Sequence, residues 1–434
     1  MTRDRDSTAP RRRRVPAVRT YYDARDLREA YRAVMSTDFR RGDDVATFEA
    51  AFRDFLGAES AATFPSARVA FYYALRALDL PPGSTVLMTP IAIPDFVSII
   101  RCAGLVPRFV DMDAESLGYG TEALAKAMDA SVRVVLVTYL YGIVPYNIED
   151  VIGVARAGGA VVIEDISQCL GAKLGERRIG MLGDAVVYSL SSFKTCSSLY
   201  GGVLASGNRS LVERARETAA SELHAPRRAP FLWILLKIVI HRVMTSEPWF
   251  STFTFRLFSF IRRLSPGAYE RFLTGNISRI LGFEKTALFM RMRNELLFWY
   301  TDFQARIALR QLKRVEDVNE ELRRQAEGLL EIDGIPTRTP RTHPDAQNVF
   351  WRFPIRVGDL VRAKSEFARH GVEVSKNALT VCSDVGAFVS FGSGAYPETR
   401  LVDSDHALIP IHAHLDAEAR RVVREAVRLA TNAR

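Results

Sequence analysis

The sequence predicts an α/β protein whose large domain is built on a mostly parallel β-sheet. Short apolar runs such as Ala160–Ile163 and Ala185–Tyr188 are bounded by glycine and charged residues, which is typical of buried parallel strands. Segments with helical apolar spacing separate these runs, and this alternation favours strands that are connected by helices. A chain of 434 residues can bury a large core, and we expect two or three domains.

The first part of the chain supplies the elements of this sheet in order. Apolar spacing predicts helices over Asp23–Met35, Asp44–Phe55, Val69–Leu78, Asp95–Cys102 and Ile148–Ala157. Strands are predicted at Ala61–Phe64, Thr85–Met88, Leu105–Val110 and Val132–Tyr139. No Gly-x-Gly-x-x-Gly follows any predicted strand, which argues against a Rossmann dehydrogenase. Neither a Walker-type loop nor a zinc-ligand spacing occurs, so no metal site is predicted.

Cysteine usage and the N-terminal residues indicate the compartment. The four cysteines show no paired spacing and fit a reducing environment: Cys102, Cys169, Cys196 and Cys382. Met1–Arg14 is polar and arginine-rich and lacks the apolar core of a signal peptide. We therefore expect a cytoplasmic protein with a disordered basic tail. No recognition element accompanies the tail arginines, so nucleic acid is not an expected partner.

The stretch from Gly159 to Asn208 carries the strongest functional signal. Asp165 ends the first β-branched run, and Lys194 follows five residues after Ser189, where the second run ends. In open α/β sheets, ligand-binding groups gather at the carboxyl ends of the strands. The pair could be a simple ion pair between strand ends. Alternatively, the pair suits pyridoxal phosphate (PLP), which needs a lysine for its aldehyde and a carboxylate for its ring nitrogen.

The motifs of this stretch resemble those of the DegT/StrS-type aminotransferases, PLP enzymes of the aspartate-aminotransferase fold (fold type I). That family has E-D-x-A-Q, G-x-x-G-D, S-F-x-x-x-K and G-G in this order. The matching segments here are Glu164–Gln168, Gly180–Asp184, Ser189–Lys194 and Gly201–Gly202. The resemblance extends, with gaps, from about Tyr21 to Val427. It implies a seven-stranded type of sheet in a large PLP domain, with a smaller C-terminal α+β domain.

Site residues follow from the resemblance position by position. Asp165 is expected to pair with the pyridine nitrogen, and Gln168 to lie near the ring hydroxyl. Ser189 is expected to contact the cofactor phosphate. Lys194 is expected to be the catalytic residue that binds the cofactor aldehyde as a Schiff base.

The predicted phosphate-binding turn departs from the family. Relatives have S-G-T at a helix start, where backbone N–H groups hold the phosphate. This chain has Ser66, Ala67 and Arg68, so only the serine is retained. Arg68 could add positive charge to the phosphate site, or its side chain could fill the pocket.

Two further family positions differ. The aromatic residue that stacks on the cofactor ring in relatives is replaced by Ile93, and Phe96 could substitute for it or belong to the core. The asparagine that reaches the partner subunit's phosphate in relatives has Leu297 in its place. The cofactor-facing wall is therefore expected to differ from that of the family.

The resemblance implies amino transfer, because Lys194 stands where relatives of this activity have their lysine. Dehydratase relatives have a histidine at the position of Lys194. The expected substrates are a keto-sugar, nucleotide- or lipid-linked, and glutamate as amino donor. A homodimer is expected, because the family places its site between two subunits. The alternative is a degenerate relative that retains the fold as a scaffold or binding subunit.

An insertion of about sixty residues distinguishes this chain from the family. Residues 224–293 hold twelve Lys and Arg against three Glu, a net charge of +9. Phe231–Ile240 is too short to span a bilayer, and Trp249–Leu264 combines a helical apolar face with Arg256, Arg262 and Arg263. These helices could dock residues 226–292 on an anionic membrane, which implies peripheral localisation at the inner membrane face. Alternatively, they pack on the body of the protein or on its dimer partner.

The C-terminal part reads as a smaller domain. Strands are predicted at Val349–Ile355 and Val372–Ser375, and helices at Leu360–His370 and Asp416–Ala430. In the run Ala407–His414, His412 and His414 are interpreted as strand-face residues and not as catalytic bases. The expected organisation is a basic tail (1–20), a large PLP-binding domain (21–223), the insertion (224–293), a helix and linker (294–325) and the small domain (326–434).

Overall fold

The computed structural model describes residues 13–264, 288–376, 379–392 and 394–432. Its strands are β1 (Ser60–Phe64), β2 (Thr85–Met88), β3 (Ile91–Ala92), β4 (Val106–Phe109), β5 (Met112–Asp113), β6 (Gly118–Tyr119), β7 (Val132–Thr138), β8 (Val161–Asp165), β9 (Lys173–Leu174), β10 (Arg177–Arg178), β11 (Ala185–Ser189), β12 (Gly202–Ser206), β13 (Ala346–Gln347), β14 (Phe353–Arg356), β15 (Thr380–Val381) and β16 (His406–Ile409).

The helices alternate with these strands in the first half of the chain and dominate the second. They are α1 (Ala24–Ser36), α2 (Asp43–Leu56), α3 (Ala67–Ala77), α4 (Pro94–Cys102), α5 (Thr121–Ala127), α6 (Ile148–Ala157), α7 (Arg209–Ala220), α8 (Arg228–Met244), α9 (Phe255–Leu264), α10 (Asp302–Leu312), α11 (Val315–Leu330), α12 (Leu360–Arg369), α13 (Pro397–Asp405) and α14 (Ala417–Asn432).

One seven-stranded sheet organises the large domain, in the order β1-β12-β11-β8-β7-β2-β4. Within it, β12 runs antiparallel to both neighbours, and the remaining neighbouring pairs are parallel. The predicted α/β class with a mostly parallel sheet is confirmed. Because β7, β8 and β11 run in the same direction, their carboxyl ends meet at one edge of the sheet.

Both faces of the sheet are covered. Side chains alternate along a strand, so successive residues of β7 point to opposite faces. Val135 and Val137 belong to an apolar cluster with residues of α2, α6 and α10. Val134 and Leu136 belong to a second cluster with residues of α3, α4 and α7. This two-sided burial explains why the strands are almost continuously apolar.

The C-terminal part has its own apolar cluster around the antiparallel pair β14 and β16. Two predicted strands differ here. The strand predicted over 349–355 is shorter, because β14 begins only at Phe353. Residues 372–375 form isolated bridges, from Val372 to Val15 and from Ser375 to Leu408, and not a continuous strand. Each end of this short segment pairs with a different partner, so no ladder extends along it.

The N-terminal segment is a correction to the expected tail. Residues 1–12 lie outside the described residues, but residues 13–20 pack on the small domain. The Val15 amide donates to the Gly371 carbonyl at 2.9 Å, and the Glu373 amide donates to the Val15 carbonyl at 3.0 Å. Val15 is completely buried. Burial of this valine and its two backbone bonds holds the segment in place, although the arginines around it resemble a solvated tail.

The insertion begins with α8, which packs one face on the body of the protein. Phe231, Leu235 and Ile238 are buried in a cluster with residues of α1 and α10. A turn of π-helix, Phe250–Thr254, then leads into α9. Predictions for residues 265–287 and for the side chains of Arg262 and Arg263 lie outside the described residues. Within the described part of the chain, no helix combines the length and apolar character needed to cross a membrane.

Candidate active site

The predicted acid and lysine lie at neighbouring strand ends. Asp165 is the last residue of β8, and Lys194 follows the end of β11 by five residues. The two strands are parallel neighbours, with Val187 opposite Asp165. Both side chains line one cavity of about 120 Å³. The remaining lining residues are Ala92, Ile93, Phe96, Thr138, Tyr139, Ser167, Gln168, Ser189, Ser191 and Leu379.

Asp165 is a buried carboxyl with a fixed orientation. Its side chain is 5% exposed, and Oδ1 accepts a hydrogen bond from the Ser167 amide at 2.9 Å. Burial raises the pKa of Asp165, while the bonds from Ser167 and the charge of Lys194 act in the opposite direction. Such a group is stabilised as an anion by any further positive charge placed in the cavity.

Lys194 has an amine that is unusually easy to deprotonate. Burial lowers the pKa of Lys194 to about 8, the Asp165 carboxylate counters this shift, and the charge of Arg352 reinforces it. Its Nζ lies 4.3 Å from the centroid of the Trp351 ring. The neutral amine is therefore more populated near neutral pH than in an ordinary lysine, which favours a nucleophilic or basic role.

Gln168 is oriented by a backbone contact. Its Oε1 accepts a hydrogen bond from the Tyr141 amide at 2.8 Å. Because its oxygen is engaged in this way, the amino group is the polar end that remains for the cavity. The side chain can therefore donate to an oxygen of a bound ring.

Ser189 is the last residue of β11, the strand next to the one that carries Asp165. Ser189 and Ser191 both line the cavity, and the Ser191 amide donates to Ser189 Oγ at 3.4 Å. The hydroxyls of both serines can donate hydrogen bonds to an anionic oxygen.

Ser66 caps the helix that was expected to hold a phosphate. Its Oγ accepts a hydrogen bond from the Val69 amide at 3.3 Å at the start of α3. Gly202 makes close contact here, since a Cβ on it would lie 2.2 Å from the Ala67 nitrogen. The helix start therefore packs directly on β12, next to the sheet edge that carries the cavity. Phosphate binding by Ser66, Ala67 and Arg68 stays a prediction.

Arg68 is occupied by contacts within the protein. Its guanidinium pairs with the Asp95 carboxylate and donates to the Tyr200 hydroxyl. The guanidinium carbon also lies 5.9 Å from the centroid of the Tyr200 ring. These contacts balance its charge, so Arg68 bridges α3, α4 and the turn before β12.

The apolar wall of the cavity contains both of the residues considered at the aromatic position. Ile93 and Phe96 line the cavity. Phe96 is also a core residue, 1% exposed, with its ring centroid 5.0 Å from that of Phe71. Phe96 therefore packs in the core, as one of the two predicted roles requires, and it also lines the cavity.

Glu164, the first acid of the E-D motif, has a structural task. Its carboxylate is fully buried and accepts from the Tyr139 hydroxyl at 2.7 Å. It also accepts from the amides of Gly180, Leu182 and Gly183 at 3.0, 2.8 and 2.6 Å. Glu164 thus anchors the G-x-x-G-D turn beneath the sheet edge, which positions the adjacent Asp165.

Trp351 contacts Lys194 and Arg352 contacts Trp351, and neither residue was predicted from the sequence. Trp351 Nε1 donates to the Phe193 carbonyl at 3.0 Å, which fixes the indole beside Lys194. Arg352 is 3% exposed, and its guanidinium carbon lies 4.3 Å from the Trp351 ring centroid. In the sequence they appear only as a Trp-Arg pair just before β14. Nothing in that pattern reveals that Trp351 contacts a lysine 157 residues earlier.

The first half of the chain is similar in sequence to known proteins. Residues 21–229 match the model of the DegT/DnrJ/EryC1/StrS aminotransferase family. Protein MosB of Rhizobium meliloti is 28% identical over 183 residues, which cover 42% of this chain and 36% of MosB. GDP-perosamine synthase of Vibrio cholerae is 25% identical over 174 residues, which cover 40% of this chain and 47% of that enzyme. The matched segment thus spans between about a third and a half of these relatives.

Solved structures share the fold over nearly the whole chain. The sugar aminotransferase CalS13 from Micromonospora echinospora has a TM-score of 0.71 and 20% identity, covering 96% of this chain and 99% of that chain. An E. coli GDP-4-keto-6-deoxy-D-mannose-3-dehydratase with bound hydrated PLP has a TM-score of 0.70 and 15% identity, covering 95% and 99%. At these identities the likeness shows the fold. In sequence, residues 21–229 are similar to the DegT/DnrJ/EryC1/StrS aminotransferase family.

Proposed function

We propose that this protein is a PLP-dependent aminotransferase that transfers an amino group from glutamate to a keto-sugar. The observation that carries the proposal is the pairing of Asp165 and Lys194 in one cavity at adjacent strand ends. The similarity of residues 21–229 to the DegT/DnrJ/EryC1/StrS aminotransferase family supports it. When bound, PLP supplies an electron-accepting ring and an aldehyde that reacts with amines.

The groups around the cavity fit this cofactor. A carboxylate at Asp165 suits a protonated ring nitrogen, and the Gln168 amino group suits the ring hydroxyl. Hydroxyls of Ser189 and Ser191 suit a phosphate, and Ile93 and Phe96 offer an apolar wall. Each kind of donor that the cofactor needs is present, on elements that the sheet holds in place.

Asp165 would provide the main electrostatic contribution. Its carboxylate is buried and already oriented by the Ser167 amide, so it needs little reorganisation to stabilise a cation. An ion pair in a site that excludes water is much stronger than one in solvent. The role we assign to Asp165 is to hold a proton on the ring nitrogen.

Lys194 would move protons at the substrate carbon. A lysine with an ordinary pKa is almost fully protonated at neutral pH, whereas the pKa of Lys194 is lowered to about 8. Its amine can therefore accept a proton and return it within the same catalytic cycle. The indole of Trp351, 4.3 Å from Nζ, limits the positions that the amine can reach.

The substrate assignment rests on relatives. Matched proteins include GDP-perosamine synthase and dTDP-4-dehydro-2,3,6-trideoxy-D-glucose 4-aminotransferase, which are named for sugar nucleotides. We propose a keto-sugar carried on a nucleotide or on a lipid, and a homodimer as the active form. Purified protein incubated with PLP, glutamate and a panel of keto-sugar nucleotides should form 2-oxoglutarate only when an accepted sugar is present. Sedimentation measures the oligomeric state.

The alternative function is a scaffold or binding subunit that no longer performs chemistry. The altered Ser66-Ala67-Arg68 segment and Leu297 favour it. A purified protein that neither binds PLP nor forms 2-oxoglutarate with any sugar would establish this alternative and overturn the proposed aminotransferase.

We also propose that the insertion docks on an anionic membrane surface. One face of α8 packs on the body, and the opposite face remains exposed: Leu232, Trp233, Leu236, Val239, Ile240 and Val243 are each 36% to 52% exposed. In and before α9, Trp249, Phe253, Phe260 and Leu264 are 56% to 70% exposed. Arg256, also exposed, lies among them. Exposed apolar side chains beside basic ones are typical of a helix that lies in a membrane interface.

The exposed face of α8 bears on the two alternatives for the insertion, which are membrane docking and packing on the protein or its dimer partner. Packing on the body accounts for Phe231, Leu235 and Ile238, but not for the exposed face of α8. The net charge of +9 over residues 224–293 favours an anionic lipid surface over an uncharged one as the binding partner of that face. Flotation of the full chain with phosphatidylglycerol vesicles tests this, and absence of binding at low salt would overturn it.

A further inference from the structure

A buried arginine next to the candidate site has no acidic partner among the residues that the structure describes. Arg352 is 3% exposed, and its Nη1 donates to the Trp351 carbonyl at 2.8 Å. Among the described residues, no carboxylate oxygen lies within 4.0 Å of its guanidinium nitrogens, the limit for a salt bridge. Burial lowers the pKa of Arg352 to about 10, so it remains charged at neutral pH. An unpaired buried charge is costly to keep unless it serves a ligand.

This arginine lies close to the catalytic amine. The Arg352 guanidinium carbon and the Lys194 Nζ are each 4.3 Å from the Trp351 ring. Twice 4.3 Å sets an upper limit of about 9 Å on their separation. An anion bound to Arg352 would therefore be within one small molecule's length of the reacting atom.

A second arginine, Arg19 of the N-terminal segment, lies close enough to His241 to act on it electrostatically, as Arg352 does. In the described part of the chain, no carboxylate oxygen lies within 4.0 Å of the Arg19 guanidinium. Glu247 acts on Arg19 electrostatically but pairs with Arg13, at 3.6 Å. Two backbone carbonyls within Arg19–Tyr22 hold this segment in place. The Thr20 carbonyl lies 3.1 Å from His414 Nε2, and the Tyr22 carbonyl accepts from Arg242 of α8.

Two unpartnered polar groups accompany the arginines. Among the residues that the structure describes, the buried Tyr21 hydroxyl has no hydrogen-bond partner, and burial raises the pKa of Tyr21 to about 12, so it can donate. Nδ1 of His241, on the insertion helix α8, is also buried and has no partner in the described part of the chain. The His241 ring lies 5.1 Å from the ring of Phe193, the residue before Lys194. The insertion therefore reaches the wall of the candidate site.

We propose that Arg19, Arg352, Tyr21 and His241 form a binding site for a phosphate group of the sugar substrate, with insertion helix α8 as one wall. The assignment of this phosphate to the substrate rests on the proposed aminotransferase function. Two guanidiniums, a hydroxyl and an imidazole offer more donors than the two oxygens of a carboxylate accept in one plane. A phosphate, with oxygens in three directions, uses such a set more completely.

The imidazole fits this role without adding charge. Burial and the charges of Arg19 and Arg352 lower the pKa of His241 to about 4, so the ring is neutral at neutral pH and one nitrogen carries a hydrogen. Positive charge in the site thus comes from the arginines. His241 contributes a directional hydrogen bond. Because it lies on α8, a chain without the insertion would lack this donor.

The test is calorimetric titration of the full-length protein, loaded with PLP, with inorganic pyrophosphate. Arg352→Met and Arg19→Met should each weaken binding at least about tenfold, since each removes a charged donor. Arg362→Met removes an exposed arginine on α12 and should leave the affinity unchanged. Arg352→Lys and Arg19→Lys retain the charge without the planar fork and should give intermediate losses. If a methionine variant does not fold, as judged by its thermal melt, the lysine variants carry the comparison.

Two further titrations separate the sources of the phosphate. Stronger binding of nucleoside diphosphates than of farnesyl diphosphate assigns a nucleotide-linked sugar, and the reverse order assigns a lipid-linked sugar; both support the phosphate site. Glutarate serves as the carboxylate probe. Glutarate binding that depends on Arg352, with no binding of pyrophosphate, would overturn the proposal in favour of a carboxylate site.

Failure of the inference differs from failure of the proposed function. Normal PLP attachment at Lys194 together with equal pyrophosphate affinity in wild type and both methionine variants would reject the phosphate site alone. Loss of the aminotransferase proposal would instead show as absence of PLP attachment, while pyrophosphate titration of the same protein still measures the arginine cluster.

Discussion

Asp165 and Lys194 reach the same cavity because Val187 of β11 lies opposite Asp165 of β8 in a parallel register. The strand that leads to the lysine therefore ends two residues beyond the level of the acid. Sheet pairing, which buries both strands in the core, sets the relative position of the two groups. The geometry of the candidate site is thus set by two paired strands of the central sheet.

Replacing Asp165 by Asn should reduce turnover on the order of 100-fold or more, because a neutral amide cannot stabilise a protonated ring nitrogen. PLP should still attach, since Lys194 is unchanged. Steady-state kinetics and the absorbance spectrum of the PLP-loaded variant measure the two effects. Asp150→Asn, at an exposed position of α6, is the matched control. Unchanged turnover in Asp165→Asn would contradict the role of the carboxylate.

The attachment of PLP should depend on pH through Lys194. Only the neutral amine attacks an aldehyde, and the pKa of Lys194 is lowered to about 8. The rate of attachment to cofactor-free protein should therefore rise with pH and reach half its maximum near pH 8. Stopped-flow absorbance measures this rate. A midpoint near 10.5, the ordinary lysine value, would show that burial does not shift this amine.

Glu164→Ala should destabilise the protein by about 3 kcal/mol or more, because it leaves buried N–H and O–H donors without their acceptor. The donors are the Tyr139 hydroxyl and the amides of Gly180, Leu182 and Gly183. Urea denaturation followed by fluorescence measures the change. Glu176→Ala, at an exposed turn, should change the free energy of unfolding by less than about 0.5 kcal/mol. Equal stability of the two variants would refute the anchoring role.

The exposed face of α8 should govern membrane binding. Leu236 and Val243 are each 48% exposed, and changing both to Glu should weaken binding to phosphatidylglycerol vesicles at least about tenfold. Val361→Glu is the control, since Val361 on α12 is 79% exposed and lies outside the insertion. Vesicle flotation measures the bound fraction. Equal loss in both variants, or no loss in either, would show that α8 is not the docking surface.

The large domain was predictable because its signals are local. The strand Thr85–Met88 and the helix Ile148–Ala157 have the predicted bounds, since each is a periodic run with clear flanking residues. Asp165, Gln168, Ser189 and Lys194 were also predictable as a group. They lie within thirty residues of one another in sequence, and strand pairing brings them together.

The remaining features depend on contacts between distant segments. Residues 372–375 bridge to Val15 and Leu408, so their pairing cannot be inferred from their own alternation. Trp351 reaches Lys194 only because its indole donates to the Phe193 carbonyl. His241 meets Phe193 because α8 buries its apolar face on α1 and α10. Such placements follow from tertiary packing, which the local pattern does not contain.

The central claim is that Lys194 binds PLP covalently and is required for turnover. The most direct measurement is peptide mapping by mass spectrometry after borohydride reduction of the PLP-loaded protein, combined with an assay of Lys194→Ala. We expect the cofactor mass on the peptide that contains Lys194, and neither attachment nor turnover in the variant. A Lys194→Ala protein with unchanged PLP absorbance and unchanged turnover would contradict the account.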